Sequence, residues 1–176
     1  MAVLVGDTLQ TMGFECLAFS GNVSVVKEIA HALWDLGVAR GQVRDTLLLQ
    51  KELELTELLR LHDEKTGVFI ASSLVIWGML GWADEEELCL LRQFGMLLGR
   101  AFQIQDDILD YEWDGETLGK RAWKDVELGK GIVACIGIDE SKKMLLYIEN
   151  TLKTLQESLD SQKLDDMREF VVKRAS

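Results

Sequence analysis

In the stretch 102–110 (FQIQDDILD), Gln103, Asp106, Asp107 and Asp110 stand at i, i+3, i+4 and i+7. That is the spacing of one helix face, the face usually turned inward and filled with Leu or Ile. Leu97, Ala101, Ile104 and Ile108 form an apolar stripe beside it, and Phe94, Leu98, Phe102 and Leu109 a third. A helix apolar nearly all round except for one acidic line belongs at the centre of a bundle, with its carboxylates lining a cavity. Carboxylates in that position need a counter-charge, because burying a bare ion is costly. A donor set made only of oxygens suits a hard cation, Mg2+ rather than zinc. The competing reading, a solvated acidic face, fits poorly with such apolar flanks.

A second signal lies upstream. Leu58, Leu61, Lys65, Phe69, Ser72 and Ile76 read as a helical stripe that Lys65 interrupts. Lys65 either snorkels to the surface or meets an anion, with His62 and Thr66 close enough in sequence to add hydrogen bonds. A third signal, weak taken alone, is the loop after the acidic line, ETLGKRAWKDVELGK. It offers Lys120, Lys124 and Lys130, with Gly119 and Gly129 for freedom of movement.

The elements that must carry these residues are all helices. Proline is absent from the 176 residues, where average usage would place about nine, so only glycine breaks the helical pattern. The spacing predicts helices over 2–19, 23–36 (with Val26, Ile29, Leu33 and Leu36 at helical spacing) and 38–50. A fourth runs from a Thr56 cap to about Met79, and a fifth from the acidic first turn Asp84-Glu85-Glu86-Glu87 to Tyr111 or Trp113. A charged loop over 114–124 precedes a shorter segment over 125–137, and helices over 140–158 and 164–174 end the chain. No β alternation, internal repeat or linker interrupts the pattern, so residues 1–176 read as one helical unit.

Composition narrows the partners. A net charge of −11 argues against nucleic acid. It suits an anionic substrate only if carboxylates hold metal ions and the metal ions hold the anion. No apolar run reaches the roughly 18 residues of a membrane span. Residues 2–5 are stopped by Gly6-Asp7, so neither a signal peptide nor an anchor is expected and the location expected is the cytoplasm. Cys16, Cys89 and Cys135 have no metal or disulfide spacing and are expected to be buried free thiols.

The residues then match a family pattern. FQIQDDILDYEWDGETLGKRAWKDVELGK resembles the second aspartate-rich motif of trans-isoprenyl diphosphate synthases, the farnesyl/geranylgeranyl diphosphate synthase family, and the lysine-bearing loop beyond it. HDEKTG resembles the family's Lys-Thr motif, and GVARGQVRD its glycine-rich segment. AVLVGDTLQTMGFECLA resembles the helix after the first aspartate-rich motif, and FVVKR the C-terminal helix. The resemblance implies an all-α isoprenoid-synthase helical bundle without its N-terminal helices, residues 1–176 forming the C-terminal portion of a single domain.

It also implies roles. Asp106, Asp107 and Asp110 would hold Mg2+ on the diphosphate of an allylic substrate, and Asp125 would support the metal's water shell. Lys65, Lys120 and Lys130 would contact diphosphate oxygens. Thr66 and Gln103 would point oxygens at the allylic cation, and Gln42 and Asp45 would line the same pocket. The reaction implied is condensation of an allylic prenyl diphosphate with isopentenyl diphosphate in isoprenoid biosynthesis.

Departures from the pattern carry expectations of their own. The first aspartate-rich motif, the arginine pair after it and a Gly-Lys-Arg segment would lie before residue 1. The chain alone is therefore expected to have little activity, and a second copy or a partner chain is expected to cover its uncovered apolar faces. Arg40 replaces a usual glycine, and KGIVACIG lacks the usual Thr and Pro. Two other functions stay open: a non-catalytic subunit that pairs with a complete synthase, which the acidic line disfavours, and a terpene-synthase-like cyclase that ionises diphosphates, which Lys65, Thr66 and Gln103 disfavour.

Overall fold

The computed structural model describes residues 1–34, 37–47, 53–117 and 131–173, and among these every regular element is helical. The helices are α1 (Ala2–Ala18), α2 (Val23–Leu33), α3 (Val38–Leu47), α4 (Leu55–His62), α5 (Val68–Leu80), α6 (Glu85–Thr117), α7 (Gly131–Ile136), α8 (Ile138–Leu159) and α9 (Gln162–Val172). A single π turn, Asp63–Gly67, joins α4 to α5. No helix among the described residues is long and apolar enough to cross a membrane.

The long α6 is the axis of the bundle and packs against α4, α5, α7, α8, α9 and the π turn. Its start is fixed by a reciprocal cap. Asp84 Oδ1 accepts the Glu87 amide at 2.9 Å, and Glu87 Oε2 accepts the Asp84 amide at 2.9 Å. Phe94, Leu98, Ala101, Ile104 and Ile108 recur at three- and four-residue steps and are all buried. They meet Leu145, Ile148 and Leu152 of α8, together with Ile132, Leu164 and Val171, in the main core. A smaller cluster, Val25, Ile29, Ala32 and Ile76, ties α2 to α5.

The crossing of α5 and α6 is close enough to need small residues on both helices. A Cβ built on Gly95 would lie 2.4 Å from the Ala71 Cα, and the atom it meets is rigid backbone. Gly95→Ala should therefore push the two helices apart and cost about 2 kcal/mol. Urea unfolding measures the loss, and a variant as stable as the parent would show that the crossing yields more easily than this packing implies.

Several expectations are corrected. The buried stripe of α2 is Val25, Ile29 and Ala32, with Val26 and Leu33 only partly buried; Leu36 lies outside the described residues. Phe69 is 43% exposed, while Ser72 and Ile76, the later members of the same stripe, are buried as expected. Thr56 does not cap α4, whose N-cap is Glu54 with no side-chain bond. Cys16 and Cys89 are exposed and Cys135 is partly buried, since Cys16 rides on α1, none of whose residues is buried. Helix α6 continues past Trp113 to Thr117.

Candidate active site

The π turn organises the site. Asp63, Glu64 and Lys65 are consecutive, so they leave the helix in three directions, and each finds an opposite charge on a different side. Asp63 accepts both Nε (3.0 Å) and Nη2 (2.5 Å) of Arg100 on α6. Glu64, its side chain 9% exposed, accepts Arg60 Nε at 3.0 Å and Arg44 Nη1 at 3.2 Å, with Arg40 Nε at 3.6 Å. Lys65 Nζ donates to Asp45 Oδ2 on α3 at 2.9 Å.

Helix α3 reaches this turn because Gly41 has no side chain: a Cβ there would lie 2.7 Å from the Lys65 amide nitrogen. Gly41 thus brings Arg40, Arg44 and Asp45 against the turn. Arg40, which stands where a glycine was expected, serves Glu64 in this arrangement.

On α6, Asp106 and Asp107 are half-buried and Asp110 is exposed, at the end of the helix where Tyr111 and Glu112 are exposed as well. The acidic line is therefore less enclosed than its spacing implies. Asp107 is constrained from two sides. Its Oδ2 accepts the Ile132 amide of α7 at 2.7 Å and lies 3.9 Å from Nε2 of His62. Burial pushes the Asp107 carboxyl up to about 6, helped by the negative charges of Asp110 and Asp106; the Ile132 amide and the Lys65 charge act in the opposite direction. His62 is pushed down to about 4, mainly by burial and then by the positive charges of Lys65 and Arg100.

Asp45, His62, Lys65, Arg100 and Asp107 thus share one electrostatic neighbourhood. Thr66 and Gln103 are partly buried. The backbone of Thr66 lies against Gly99, one helical turn before Gln103 on α6. Gln42 is exposed on α3. Lys120, Lys124, Lys130 and Asp125 lie outside the described residues. Two features went unread in the sequence: the backbone amide of Ile132, which no side-chain pattern announces, and the Asp63–Arg100 pair, whose signal was three successive charges that cannot share one helix face.

Oxygen donors, like-charge crowding at Asp107 and a neighbouring lysine together suit a hard cation that carries an anionic ligand. Among the described residues, no three acidic, His or Cys groups converge closely enough to enclose an ion. Asp106, Asp107 and Asp110 would therefore supply part of a coordination shell, which is the usual arrangement for Mg2+, with waters and phosphate oxygens completing it.

The chain belongs to the polyprenyl synthetase family, whose sequence model matches residues 1–170. It is 33% identical to the farnesyl diphosphate synthase of Escherichia coli K12 over 98% of this chain and 63% of that protein. It is 32% identical to geranylgeranyl pyrophosphate synthase 4 of Arabidopsis thaliana over 93% of this chain and 46% of that protein. The crystal structure of a Helicobacter pylori geranyltransferase complexed with magnesium and isoprenyl diphosphate superposes with a TM-score of 0.76 at 29% identity. That match covers 96% of this chain and 57% of that one. The chain thus spans less than two thirds of the length of each of these proteins.

Proposed function

We propose that the protein takes part in Mg2+-dependent trans-prenyl transfer, joining an allylic prenyl diphosphate to isopentenyl diphosphate in cytoplasmic isoprenoid biosynthesis. The observation that carries this reading is the half-buried Asp107, anchored by the Ile132 amide, crowded by Asp106 and Asp110 and influenced by Lys65. Family membership supports it, as does the magnesium and isoprenyl diphosphate in the Helicobacter enzyme.

In this reaction the allylic C–O bond breaks and diphosphate departs. The isopentenyl double bond then attacks the allylic carbon, a C–C bond forms, and a proton is lost. Bound Mg2+ supplies Lewis-acid stabilisation of the charge that gathers on the departing diphosphate.

The protein's residues supply the rest. Asp106, Asp107 and Asp110 hold the cation, with Asp125 supporting its water shell. Lys65 is kept at the site by Asp45 through a pair about a third exposed, which is weak enough for a diphosphate oxygen to displace. Lys120 and Lys130 add donors to the same oxygens. Thr66 and Gln103 direct oxygens toward the allylic cation, and Gln42 completes the wall beside Asp45. Helix α1 exposes Val3, Leu4, Leu9 and Met12, apolar surface suited to a second copy or a partner chain.

Calorimetric titration with inorganic diphosphate, with and without Mg2+, tests the reading. Three carboxylates repel the ligand without the metal, and the local field reverses with it. Binding is expected only when Mg2+ is present, and equal affinity in both conditions would reject the metal bridge.

A further inference from the structure

We propose that His62 is a positioning residue for Asp107: its Nε2–H faces the carboxylate and, together with the Ile132 amide, fixes which oxygen is presented to a cation. The proposal rests on the reading of Asp107 as a metal-holding residue.

His62 is only 5% exposed. Its Nδ1 is buried without a hydrogen-bond partner among the described residues, a condition that calls for a reason. Its other nitrogen points at a carboxylate, Nε2 lying 3.9 Å from Asp107 Oδ2. A neutral imidazole carries one N–H, on one ring nitrogen or the other. An acidic oxygen stands before Nε2, and among the described residues nothing accepts from Nδ1. The proton therefore belongs on Nε2, which leaves Nδ1 as an unpaired acceptor, and a buried unpaired acceptor is tolerated better than a buried unpaired N–H.

Two donors on one oxygen define a direction. The Ile132 amide already holds Oδ2 at 2.7 Å. His62 approaches the same atom from α4, so Oδ1 is the oxygen turned away from both. The 3.9 Å separation is longer than a hydrogen bond, and it closes when a cation on Oδ1 draws the carboxylate into its final orientation, as such contacts tighten in loaded sites. A partner that orients a metal-holding group in this way typically contributes tenfold to a hundredfold in metal affinity.

Two measurements on the full chain test the proposal. Long-range 15N NMR of His62 in the metal-free protein should report the Nε2–H tautomer, and an Nδ1–H tautomer would overturn the proposal without any variant. The second compares His62→Gln, which keeps an N–H near the Nε2 position, with His62→Leu, which fills the space without a donor. Mg2+-dependent binding of inorganic diphosphate should weaken about tenfold to a hundredfold in His62→Leu. It should stay within about threefold of the parent in His62→Gln, with helical circular dichroism unchanged in both. A folded His62→Leu that binds as tightly as the parent would overturn the proposal. Absence of Mg2+-dependent binding in the parent itself would instead defeat the functional reading, and the tautomer would still decide the role of His62.

Discussion

Replacing Asp106 and Asp107 together by Ala should abolish the Mg2+-dependent part of diphosphate binding, a loss of about a thousandfold in affinity. A unit charge about 4 Å from another is worth about 4 kcal/mol at the effective dielectric of a protein surface, and each 1.4 kcal/mol is about a factor of ten. Waters and Asp110 recover part of what two missing carboxylates supplied, so the estimate is nearer one full charge than four. Asp110→Ala should cost less, because Asp110 is exposed and water already screens it. Lys65→Ala and Lys120→Ala should each lower affinity while leaving the metal dependence intact, since a lysine binds the anion directly. A double aspartate variant that keeps the parent's Mg2+ dependence would remove Asp106 and Asp107 from the site. Helical circular dichroism of the variant separates lost binding from unfolding, since the change also leaves the buried Ile132 amide without its acceptor.

The second large effect is on stability against pH. Asp107 titrates near 6 in the folded chain, above its ordinary value of 3.8. The folded state therefore binds that proton more tightly, and this contribution to stability, full below about pH 4, is lost as pH rises to about 6. His62 behaves in the opposite sense. Its folded pKa is near 4 against an ordinary 6.5, so its contribution is full above about pH 6.5 and is lost as pH falls toward 4. Each displacement of two units or slightly more corresponds to about 3 kcal/mol. In the parent the two largely cancel over the same window. Asp107→Asn removes one and unmasks the other, so the variant's stability, relative to the parent, should climb by about 3 kcal/mol between pH 4 and 6.5. His62→Leu should show the mirror image. Urea unfolding in metal-free buffer at several pH values decides this, and parallel curves for parent and Asp107→Asn would contradict it.

Much of the central helix could be read from spacing. Ile104 and Ile108 recur at the step that buries a helix face, and both are buried against α8 and its neighbours. The start of α6 was legible because an acidic first turn is a local signal, although the reciprocal cap of Asp84 and Glu87 was not read from it. What escaped depended on distant chain. Phe69 looked like a continuation of Leu58 and Leu61 but is exposed, and HDEKTG contains no proline or glycine pair to announce the π turn before it. Helix α2 offers two overlapping apolar series, through Val25 or through Val26, and only the docking of Ile76 of α5 selects the first. Cys16 was expected inside because cysteine usually is, yet burial needs a neighbour, and no residue of α1 is buried. At the site, the residue types were legible and their tethers were not. The Ile132 amide reaches Asp107 from 25 positions away, and Asp45 meets Lys65 across 20.

The central claim is that the carboxylates of α6 and the lysine of the π turn act on one diphosphate through a bridging cation. A crystal structure with Mn2+ and inorganic diphosphate, using the anomalous signal to locate the metal, tests it most directly. Mn2+ is expected on carboxylate oxygens of the set Asp106, Asp107 and Asp110, with the diphosphate bound to that ion and Lys65 turned from Asp45 toward a phosphate oxygen. Diphosphate seated on the protein with no metal between it and those carboxylates, or Mn2+ bound away from all three, would contradict it.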